Sequence, residues 1–411
     1  MKVLQVNCVY KKGSTGKITY DIHKGLQEKG IESIVCYGRG EKVNEKNVYK
    51  TCGEFYSKIN HFIANLTGIM YGHCYFSTKK LINIIKKEKP DIVHLQCING
   101  YFVNIYKLIT WLKNNNIKTV LTLHAEFMYT ANCGHAFECE RWKEGCKNCK
   151  NPKLATSSYF VNRTNKSWKK MKKAFDGFNK NLIVVSVSPW LMDRAKKSPI
   201  LNDKNHKVVL NGLDTNIFHY YETKELRKKY AKENEKIILH VTPGFSIEKE
   251  HIKGGYYVVK VAEELKNENI KILVAGNYKE GIKVPKNVIL LGRVNSQEEL
   301  AKLYSMADIT LLTSKKETFS MVTAESLCCG TPVIGFKAGG PEQIAIKEYS
   351  KFIEYGNLKD LKIEILKTIN NKLEKNKISN ESYNKYSSQK MSKEYIKIYK
   401  ELKTGEKNDI L

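Results

Sequence analysis

The sequence predicts an α/β protein built from two doubly wound parallel sheets, each flanked by helices. Short apolar runs alternate with longer amphipathic segments, which is the pattern of strand–helix–strand units with right-handed crossovers. The second half of the chain repeats the scheme of the first. The chain has 411 residues, too many for one ordinary core and suited to two domains of roughly 200 residues.

Both halves contain a similar set of predicted elements. In the first half, strands are predicted at 3–9, 33–38, 92–97, 119–124, 182–188 and 207–210, with helices at 15–28, 104–115 and 166–175. In the second half, strands are predicted at 237–242, 270–275, 288–291, 309–313, 333–336 and 352–355, with helices at 255–266, 296–305, 322–329 and 358–371.

A last amphipathic helix at 387–402 is expected to pack back on the first domain, and the polar tail from Thr404 is expected to fray. The predicted domains are 1–215, with a Cys-rich insertion at about 125–165, then 216–385, then a crossover helix and tail at 386–411.

The chain is strongly basic, with a formal net charge of +28. Either a genome-wide composition bias or attraction to anionic lipid would explain such a charge. Basic residues are spread along the chain without a nucleic-acid recognition module, so nucleic acid is not an expected partner. No run approaches the roughly 18 apolar residues of a membrane helix, and the N-terminus has the pattern of a buried strand. We expect a cytoplasmic protein, with peripheral contact to the inner face of the cell membrane as an option.

A glycine-containing turn follows the first predicted strand. Residues 11–17 read Lys-Lys-Gly-Ser-Thr-Gly-Lys and open a helix. Gly13 and Gly16 would let backbone N–H groups approach an anion at the helix N-terminus. The alternative is an ordinary strand–helix turn, since the motif is neither Gly-x-Gly-x-x-Gly nor a P-loop. Its place at the carboxyl end of a strand favours a ligand.

Two carboxylates flank a predicted helix start in the second half. Glu317 falls in the loop after a strand, Ser320 is a suitable N-cap, and Gly330 ends the helix. Glu325 then lies just over one turn into the helix. The segment offers two carboxylates to sugar hydroxyls and bare backbone N–H groups to a diphosphate. The alternative is an exposed Glu317 beside a buried, salt-bridged Glu325.

The same segment carries a resemblance to a known family. Glu317-x7-Glu325, then Gly-Thr-Pro-Val-Ile at 330–334 and Gly-Gly-Pro-Glu at 339–342, resembles the signature of family 4 retaining glycosyltransferases. Further matches follow the family's order at 13–16, 187–189, 211–214, 218, 253–254 and 275–276. The resemblance covers nearly the whole chain and implies the GT-B fold of two facing Rossmann-like domains. Residues 123–149 are similar to the branch that builds bacterial exopolysaccharides, including colanic-acid-type polymers.

The resemblance implies roles for the matching positions. Glu325 would hydrogen-bond the donor ribose, and Glu317 would hold hydroxyls of the transferred sugar. Lys253 would neutralise the leaving diphosphate, and His124 would face the donor sugar near its reacting carbon. The other implied donor-binding residues are Gly13, Gly16, Asn211, Lys249, Phe319, Ser320, Met321 and Val322.

Two positions depart from the family pattern. Most relatives carry an arginine a few residues before the position of Lys253, whereas Lys249 is the nearest cation here and lacks the planar fork of arginine. Ala125 stands where an acidic residue usually follows the histidine.

The implied reaction retains configuration and needs no metal for its chemistry. The diphosphate leaves as the acceptor hydroxyl attacks from the same face, and the leaving phosphate oxygen takes the acceptor proton. Catalysis would come from positioning and charge stabilisation. The expected donor is a nucleotide-diphosphate hexose, and the expected acceptor is a growing, lipid-linked cell-surface polysaccharide.

Four cysteines cluster in the predicted insertion. Cys133, Cys139, Cys146 and Cys149 could close a tetrahedral zinc site, with His135 able to replace one sulfur. Free cysteines and a disulfide are the alternatives, and a reducing cytosol disfavours the disulfide.

A stretch at 55–89 mixes aromatic and basic residues. Its apolar members include Phe62, Leu66, Tyr75 and Phe76, and lysines follow at 79, 80, 86, 87 and 89. A bilayer interface that docks a lipid-linked acceptor is one interpretation, and a core helix with a solvated basic edge is the other.

Two further function classes stay open. A sugar-nucleotide epimerase of GT-B-like fold would share the architecture, although such enzymes do not normally carry the Glu-x7-Glu and Gly-Gly-Pro-Glu block. A non-catalytic sugar-nucleotide binding protein is the other alternative, and the presence of both Glu317 and Glu325 argues against it.

Overall fold

The computed structural model describes residues 1–158 and 160–405. It divides into two compact units. The first contains Met1–Leu210 with the described chain from Met391 on, and the second is Asn211–Lys390. Each unit is a parallel sheet flanked by helices, which confirms the predicted fold class. The chain passes from the first unit to the second after Leu210 and returns to the first after Lys390. Both positions lie a few residues from the boundaries that the sequence suggested at 215 and 385.

The sheet of the first unit has the order β3-β2-β1-β4-β5-β6-β7, and all its pairs are parallel. Its strands are β1 Lys2–Asn7, β2 Glu32–Tyr37, β3 Val48–Lys50, β4 Ile92–Leu95, β5 Thr119–Leu123, β6 Leu182–Ser186 and β7 Asn205–Val208. Its helices are α1 Gly13–Glu28, α2 Glu54–Thr67, α3 Tyr75–Glu88, α4 Ile105–Asn114, α5 Phe127–Thr130, α6 Pro152–Thr156, α7 Thr164–Phe175 and α8 Pro189–Lys196, and a 3₁₀ helix spans Arg141–Glu144.

The sheet of the second unit has the order β10-β9-β8-β11-β12-β13 and is also parallel. Its strands are β8 Lys236–Phe245, β9 Ile270–Tyr278, β10 Val288–Gly292, β11 Ile309–Leu312, β12 Val333–Phe336 and β13 Ser350–Ile353. Its helices are α9 Lys224–Lys228, α10 Gly255–Glu264, α11 Gln297–Met306, α12 Met321–Cys328, α13 Pro341–Ile344, α14 Leu358–Ile369 and α15 Lys375–Tyr386, and a 3₁₀ helix spans Lys347–Tyr349.

The central strands are buried along most of their length because helices cover the sheet. All five residues of β5 and all five of β6 are buried. Such strands form continuous apolar runs rather than alternating patterns, which is why the sequence revealed them. The edge strand β3 has only three residues and was not predicted.

The last helix, α16 Ser388–Thr404, packs on the first unit as predicted. Its buried residues include Tyr395 and Tyr399, which share a core cluster with Val3 and Ile22. His94 anchors the contact, because Nδ1 lies 2.7 Å from the Tyr399 hydroxyl and Nε2 lies 2.7 Å from Thr122 Oγ1. Burial lowers the pKa of His94 to about 3, so the ring is neutral and serves as a hydrogen-bonding link. Most of the predicted tail lies outside the described residues.

Over residues 1–158 and 160–405, no helix is both long and apolar enough to span a bilayer.

Candidate active site

The second unit reverses its strand order between β8 and β11. In a doubly wound sheet, ligands bind outside the carboxyl ends of the strands at such a switch point. β8 pairs with β9 on one side and with β11 on the other. The loops after β8, β11 and β12 therefore meet at one edge, and they carry most of the predicted donor-binding residues.

Lys253 and Glu317 meet at this edge. Lys253 Nζ lies 2.7 Å from Glu317 Oε1, and both side chains keep partial contact with solvent. Gly254 follows in a left-handed conformation with φ of +69°, where an added Cβ would stand 2.0 Å from the Thr313 carbonyl oxygen. The close approach of the two loops thus requires glycine and brings Lys253 against the loop that carries Glu317.

The backbone of Glu317 is fixed by the loop after β12. The Glu317 N–H donates to the Ala338 carbonyl at 3.0 Å, and the Gly340 N–H donates to the Glu317 carbonyl at 2.9 Å. Glu342 accepts from the N–H groups of Ala338 and Gly339 at about 3 Å. These bonds explain the Gly-Gly-Pro-Glu motif in physical terms, since it forms the support of the loop that carries Glu317.

The helix start at α12 has the predicted geometry. The Ser320 side chain accepts from the Thr323 N–H at 3.2 Å, so Ser320 is the N-cap, and Gly330 lies beyond the helix end with φ of +80°. Phe319 and Ser320 are buried, while Met321 and Val322 are partly exposed. The N–H groups of the first helical turn have no intrahelical partner and suit an anion.

Glu325 is held by a residue that sequence analysis missed. The buried Tyr304 hydroxyl on α11 donates to Glu325 Oε2 at 3.1 Å. Burial, with the carboxylate charge adding to it, raises the pKa of Tyr304 well above its ordinary value, so the hydroxyl stays protonated and remains a donor. Nothing in the local sequence marks a tyrosine 21 positions before Glu325 as its partner.

Lys249 and Asn211 are two further predicted donor-binding residues of the second unit. Lys249 stands in an exposed turn four positions before Lys253. Asn211 is buried at the first position of the second unit.

The other predicted residues lie in the first unit. Gly13 begins α1 with φ of +66°, and the buried Gly16 packs against the backbone of the turn, where the Lys11 N–H donates to its carbonyl at 3.0 Å. His124 directly follows β5 and is partly buried. Burial lowers the pKa of His124 to about 4, so its imidazole is neutral near pH 7. Both positions lie at the carboxyl edge of the first sheet.

Glu126 is a buried carboxylate that the sequence did not reveal. It is fully buried, accepts from Arg194 Nε at 2.6 Å, and accepts from the Ala136 N–H at 2.6 Å. Tyr129 also donates to it. Glu126 therefore anchors the insertion that begins after His124 to helix α8, a structural role two positions beyond Ala125.

The four cysteines of the insertion are close enough to influence one another. Burial, then the nearby thiols of Cys146, Cys149 and Cys139, raise the pKa of Cys133 to about 12. All eleven cysteines fall within the described residues, and every one is a free thiol. In the described part of the chain, no group of three or more His, Cys, Asp or Glu side chains has the arrangement of a metal site. Structural zinc stays a prediction.

The groups described in the second unit can bind an anion and accept hydrogen bonds. Lys253 supplies a cation, the start of α12 supplies backbone N–H groups, and Glu317 and Glu325 supply hydrogen-bond acceptors. A cation and a helix N-terminus suit phosphate oxygens, and carboxylate oxygens accept hydrogen bonds from sugar hydroxyls.

The chain contains two doubly wound parallel-sheet units, and the second has a cation, carboxylates and a helix start at its switch point. This is the architecture of the GT-B glycosyltransferases. Residues 15–217 match the family model Glycosyltransferase Family 4, and residues 222–385 match Glycosyl transferases group 1. The chain carries both domains, one in each unit, and is a glycosyltransferase of the GT-B type.

Curated relatives and a solved structure extend across the whole chain. N-acetyl-α-D-glucosaminyl L-malate synthase of Bacillus anthracis is 28% identical over 98% of this chain and 98% of its own. The putative colanic acid biosynthesis glycosyl transferase WcaC of Escherichia coli is 21% identical over 98% of this chain and all of its own. The structure of HepE from Anabaena with UDP-glucose superposes with a TM-score of 0.62 over 97% of this chain and 99% of that chain, at 15% identity. At that identity the likeness shows the fold.

Proposed function

We propose that this protein is a retaining glycosyltransferase that moves a hexose-type sugar from a nucleotide-diphosphate donor to a growing, lipid-linked cell-surface polysaccharide. The observation that supports the donor most strongly is the contact of Lys253 with Glu317 beside the start of α12. A fold neighbour crystallised with UDP-glucose agrees with a nucleotide-sugar donor.

Within this proposal each side chain in the second unit has one task. Lys253 and the first N–H groups of α12 bind the diphosphate, and Lys249 adds a second cation from its exposed turn. Glu317 binds hydroxyls of the transferred sugar. Glu325, oriented by Tyr304, binds the ribose. The backbone of Phe319, Ser320, Met321 and Val322 lines the phosphate and sugar.

The proposed mechanism relies on charge and position. As the bond between the sugar and the phosphate breaks, negative charge grows on the diphosphate, where Lys253 and the helix start stabilise it. The acceptor hydroxyl attacks from the face that the diphosphate leaves, and its proton passes to the leaving phosphate oxygen. Configuration is retained, and no metal is required because the cation and the helix start carry the charge stabilisation.

The first unit has the remaining proposed roles. His124, neutral because of burial, can donate or accept a hydrogen bond toward the donor sugar without adding a charge to the reaction centre. The turn at Gly13 and Gly16 provides backbone N–H groups at the start of α1. The remaining proposed donor-binding residue, Asn211, is the buried first residue of the second unit.

The acceptor is the least supported part of the proposal, and two relatives differ on it. WcaC carries a polysaccharide-biosynthesis name and supports a polymer. The name of the N-acetyl-α-D-glucosaminyl L-malate synthase of Bacillus anthracis contains a small acid, L-malate, and favours a soluble acceptor as the second candidate. The strongly basic surface is compatible with an anionic acceptor of either kind.

A donor and acceptor screen tests the proposal. Purified protein would be incubated with a panel of nucleotide sugars, first alone for slow hydrolysis, then with a lipid-linked oligosaccharide or with L-malate. We expect one donor class to be consumed, sugar to appear on the lipid-linked acceptor, and the new linkage to keep the donor's anomeric configuration by NMR. An epimerised free nucleotide sugar, or an inverted linkage, would contradict the proposal.

A further inference from the structure

Helix α2 exposes its apolar face to solvent. Phe55, Ile59, Phe62 and Leu66 recur at intervals of four, three and four residues, which places them along one side of the helix. Their exposed fractions lie between 40% and 78%. Helix α4 of the same unit shows the ordinary orientation, since its apolar residues at 105, 108, 109 and 112 are all buried.

The inward face of α2 is small and polar, and it is well satisfied. Its buried residues are Ser57, Asn60 and Ala64. Ser57 Oγ donates to the Gly100 carbonyl at 3.1 Å, and Asn60 Oδ1 accepts from the Cys74 N–H at 2.8 Å. These buried hydrogen bonds fix the rotation of the helix, so the apolar side faces outward as part of the fold.

The exposed apolar surface continues onto the start of α3. Tyr75 and Phe76 are both more than half exposed. The Phe76 N–H donates to the Tyr56 hydroxyl at 3.1 Å, and the two rings lie 6.1 Å apart between centroids. We call Phe55, Ile59, Phe62, Leu66, Tyr75 and Phe76 the outward patch. Half of the twelve strongly exposed large apolar residues in the described chain belong to it.

Cations surround the outward patch. The exposed lysines on α2 and α3 are Lys58, Lys79, Lys80, Lys86 and Lys87. Lys107 Nζ sits 4.1 Å from the centre of the Tyr75 ring, and three of the six residues that line a groove at Phe76 are lysines, Lys79, Lys80 and Lys87.

The carboxylates on these two helices already have partners. Glu54 binds Arg39 Nε at 2.8 Å, and Glu88 accepts from the Tyr49 hydroxyl at 3.1 Å. The charge that surrounds the outward patch is therefore strongly positive.

We propose that the outward patch docks the protein onto an anionic lipid bilayer, with its apolar side chains in the interfacial layer and the lysines against lipid phosphates. Exposed aromatic side chains together with lysines are the combination that a charged interface binds. A second copy of the chain fits less well, because a symmetric contact would set lysines against lysines. The docking itself does not depend on the proposed function. It rests on that function only for the reason to dock, which is access to a lipid-linked acceptor.

Vesicle co-sedimentation of the full chain without any sugar nucleotide tests the docking independently of enzyme activity. The probes are phosphatidylcholine vesicles and vesicles of phosphatidylcholine and phosphatidylglycerol mixed two to one. We expect binding to the mixed vesicles, and F55S/F62S should weaken it at least about tenfold because two large apolar side chains are lost from the interface. The control I363S/Y383S removes two exposed apolar residues from the second unit and should bind like wild type.

A charge-matched pair of variants completes the test. K79Q/K80Q/K87Q removes three lysines at the groove and should weaken binding to mixed vesicles, whereas K279Q/K283Q/K286Q removes three exposed lysines of the second unit and should not. The proposal would be overturned if both triple variants lost vesicle binding equally, or if wild type bound phosphatidylcholine vesicles as well as mixed vesicles. Failure of wild type to bind the mixed vesicles would also overturn it. Light scattering that shows a dimer abolished by F55S/F62S would assign the patch to self-association instead. Nucleotide-sugar turnover with no vesicle binding would leave the proposed function standing and remove only the docking surface.

Discussion

Lys253 Nζ and Glu317 Oε1 lie 2.7 Å apart at the switch point of the second sheet. The two groups to which we give opposite tasks therefore form an ion pair with each other. A sugar diphosphate offers each a replacement partner, phosphate oxygens for the ammonium and hydroxyls for the carboxylate. The pair thus keeps both charged groups in place, and because both keep contact with solvent, exchanging partners costs little.

Single substitutions of the pair should remove activity without unfolding the protein. Lys253→Ala and Glu317→Ala are each expected to lower the rate of sugar transfer by about 100-fold or more, as losing a transition-state contact commonly does. The free energy of unfolding should change by less than about 1 kcal/mol, because the pair is partly exposed. Lys260→Ala, which breaks a surface pair with Glu263, is the matched control. Wild-type turnover in either active-site variant would refute the assignment.

A methyl group at Gly340 should disturb the loop that carries Glu317. Its Cβ would stand 2.4 Å from the Thr318 carbonyl oxygen and 2.8 Å from the Phe319 nitrogen, both backbone atoms. We expect Gly340→Ala to lower the free energy of unfolding by about 1–3 kcal/mol and to weaken donor binding. Gly244→Ala, where a Cβ meets nothing within 4 Å, should be tolerated. Equal thermal midpoints and equal donor affinities for both variants would contradict this.

Tyr304 should act on donor affinity through Glu325. Tyr304→Phe removes only the hydroxyl that donates to the carboxylate. The donor KM is expected to rise by about three- to tenfold, the effect of one hydrogen bond. Because the ribose is bound alike before and during reaction, kcat should stay constant. The exposed Tyr383→Phe is the control. A drop in kcat with unchanged KM would place Tyr304 elsewhere in the mechanism.

Neutral buried histidines should make the protein sensitive to acid. Burial lowers the pKa of His94 to about 3 and that of His124 and His240 to about 4, from an ordinary 6.5. Between pH 4 and pH 6.5 the unfolded chain binds more protons than the folded protein does. The stability contribution of the neutral histidines is therefore fully present above pH 6.5 and falls as the pH drops toward 4.

The histidine effect can be isolated with one variant. Each proton taken up on unfolding contributes about 1.4 kcal/mol per pH unit. We would measure the free energy of unfolding in urea for wild type and His94→Gln at several pH values in this range. The slope of that free energy against pH should be smaller in the variant by the contribution of about one proton. Identical slopes would mean that His94 is protonated in the folded protein.

Zinc in the insertion can be tested directly. Metal analysis of protein prepared without chelator should find about one zinc ion per chain, and a chelator should lower the thermal midpoint. Cys146→Ser and Cys149→Ser should lose the metal, whereas Cys8→Ser, outside the insertion, should keep it. Protein free of zinc under these conditions would refute the prediction.

Much of the fold could be predicted because its signals are local. The buried strands are continuous apolar runs, and β12 was predicted with its observed bounds Val333–Phe336. The N-cap at Ser320 also followed from local sequence. Helix α15 was missed because it is polar, with few apolar residues to set a helical period.

The partners within the site could not be predicted, because they depend on contacts between distant residues. The bond between Tyr304 and Glu325 and the pairing of Glu126 with Arg194 join separate helices and loops. The outward rotation of α2 was one of two interpretations that the sequence left open. Its apolar period suggests a core face, and only the buried bonds of Ser57 and Asn60 decide which side points to solvent.

The most direct test of the central claim is a calorimetric comparison of donor binding in wild type, Glu317→Ala and Lys253→Ala. With the donor found in the screen, Glu317→Ala should bind the nucleoside diphosphate as wild type does but lose the added affinity from the sugar, since our proposal assigns Glu317 to the sugar hydroxyls alone. Lys253→Ala should lose affinity for the diphosphate itself. If both variants bind the intact nucleotide sugar as tightly as wild type, these residues do not form the donor site.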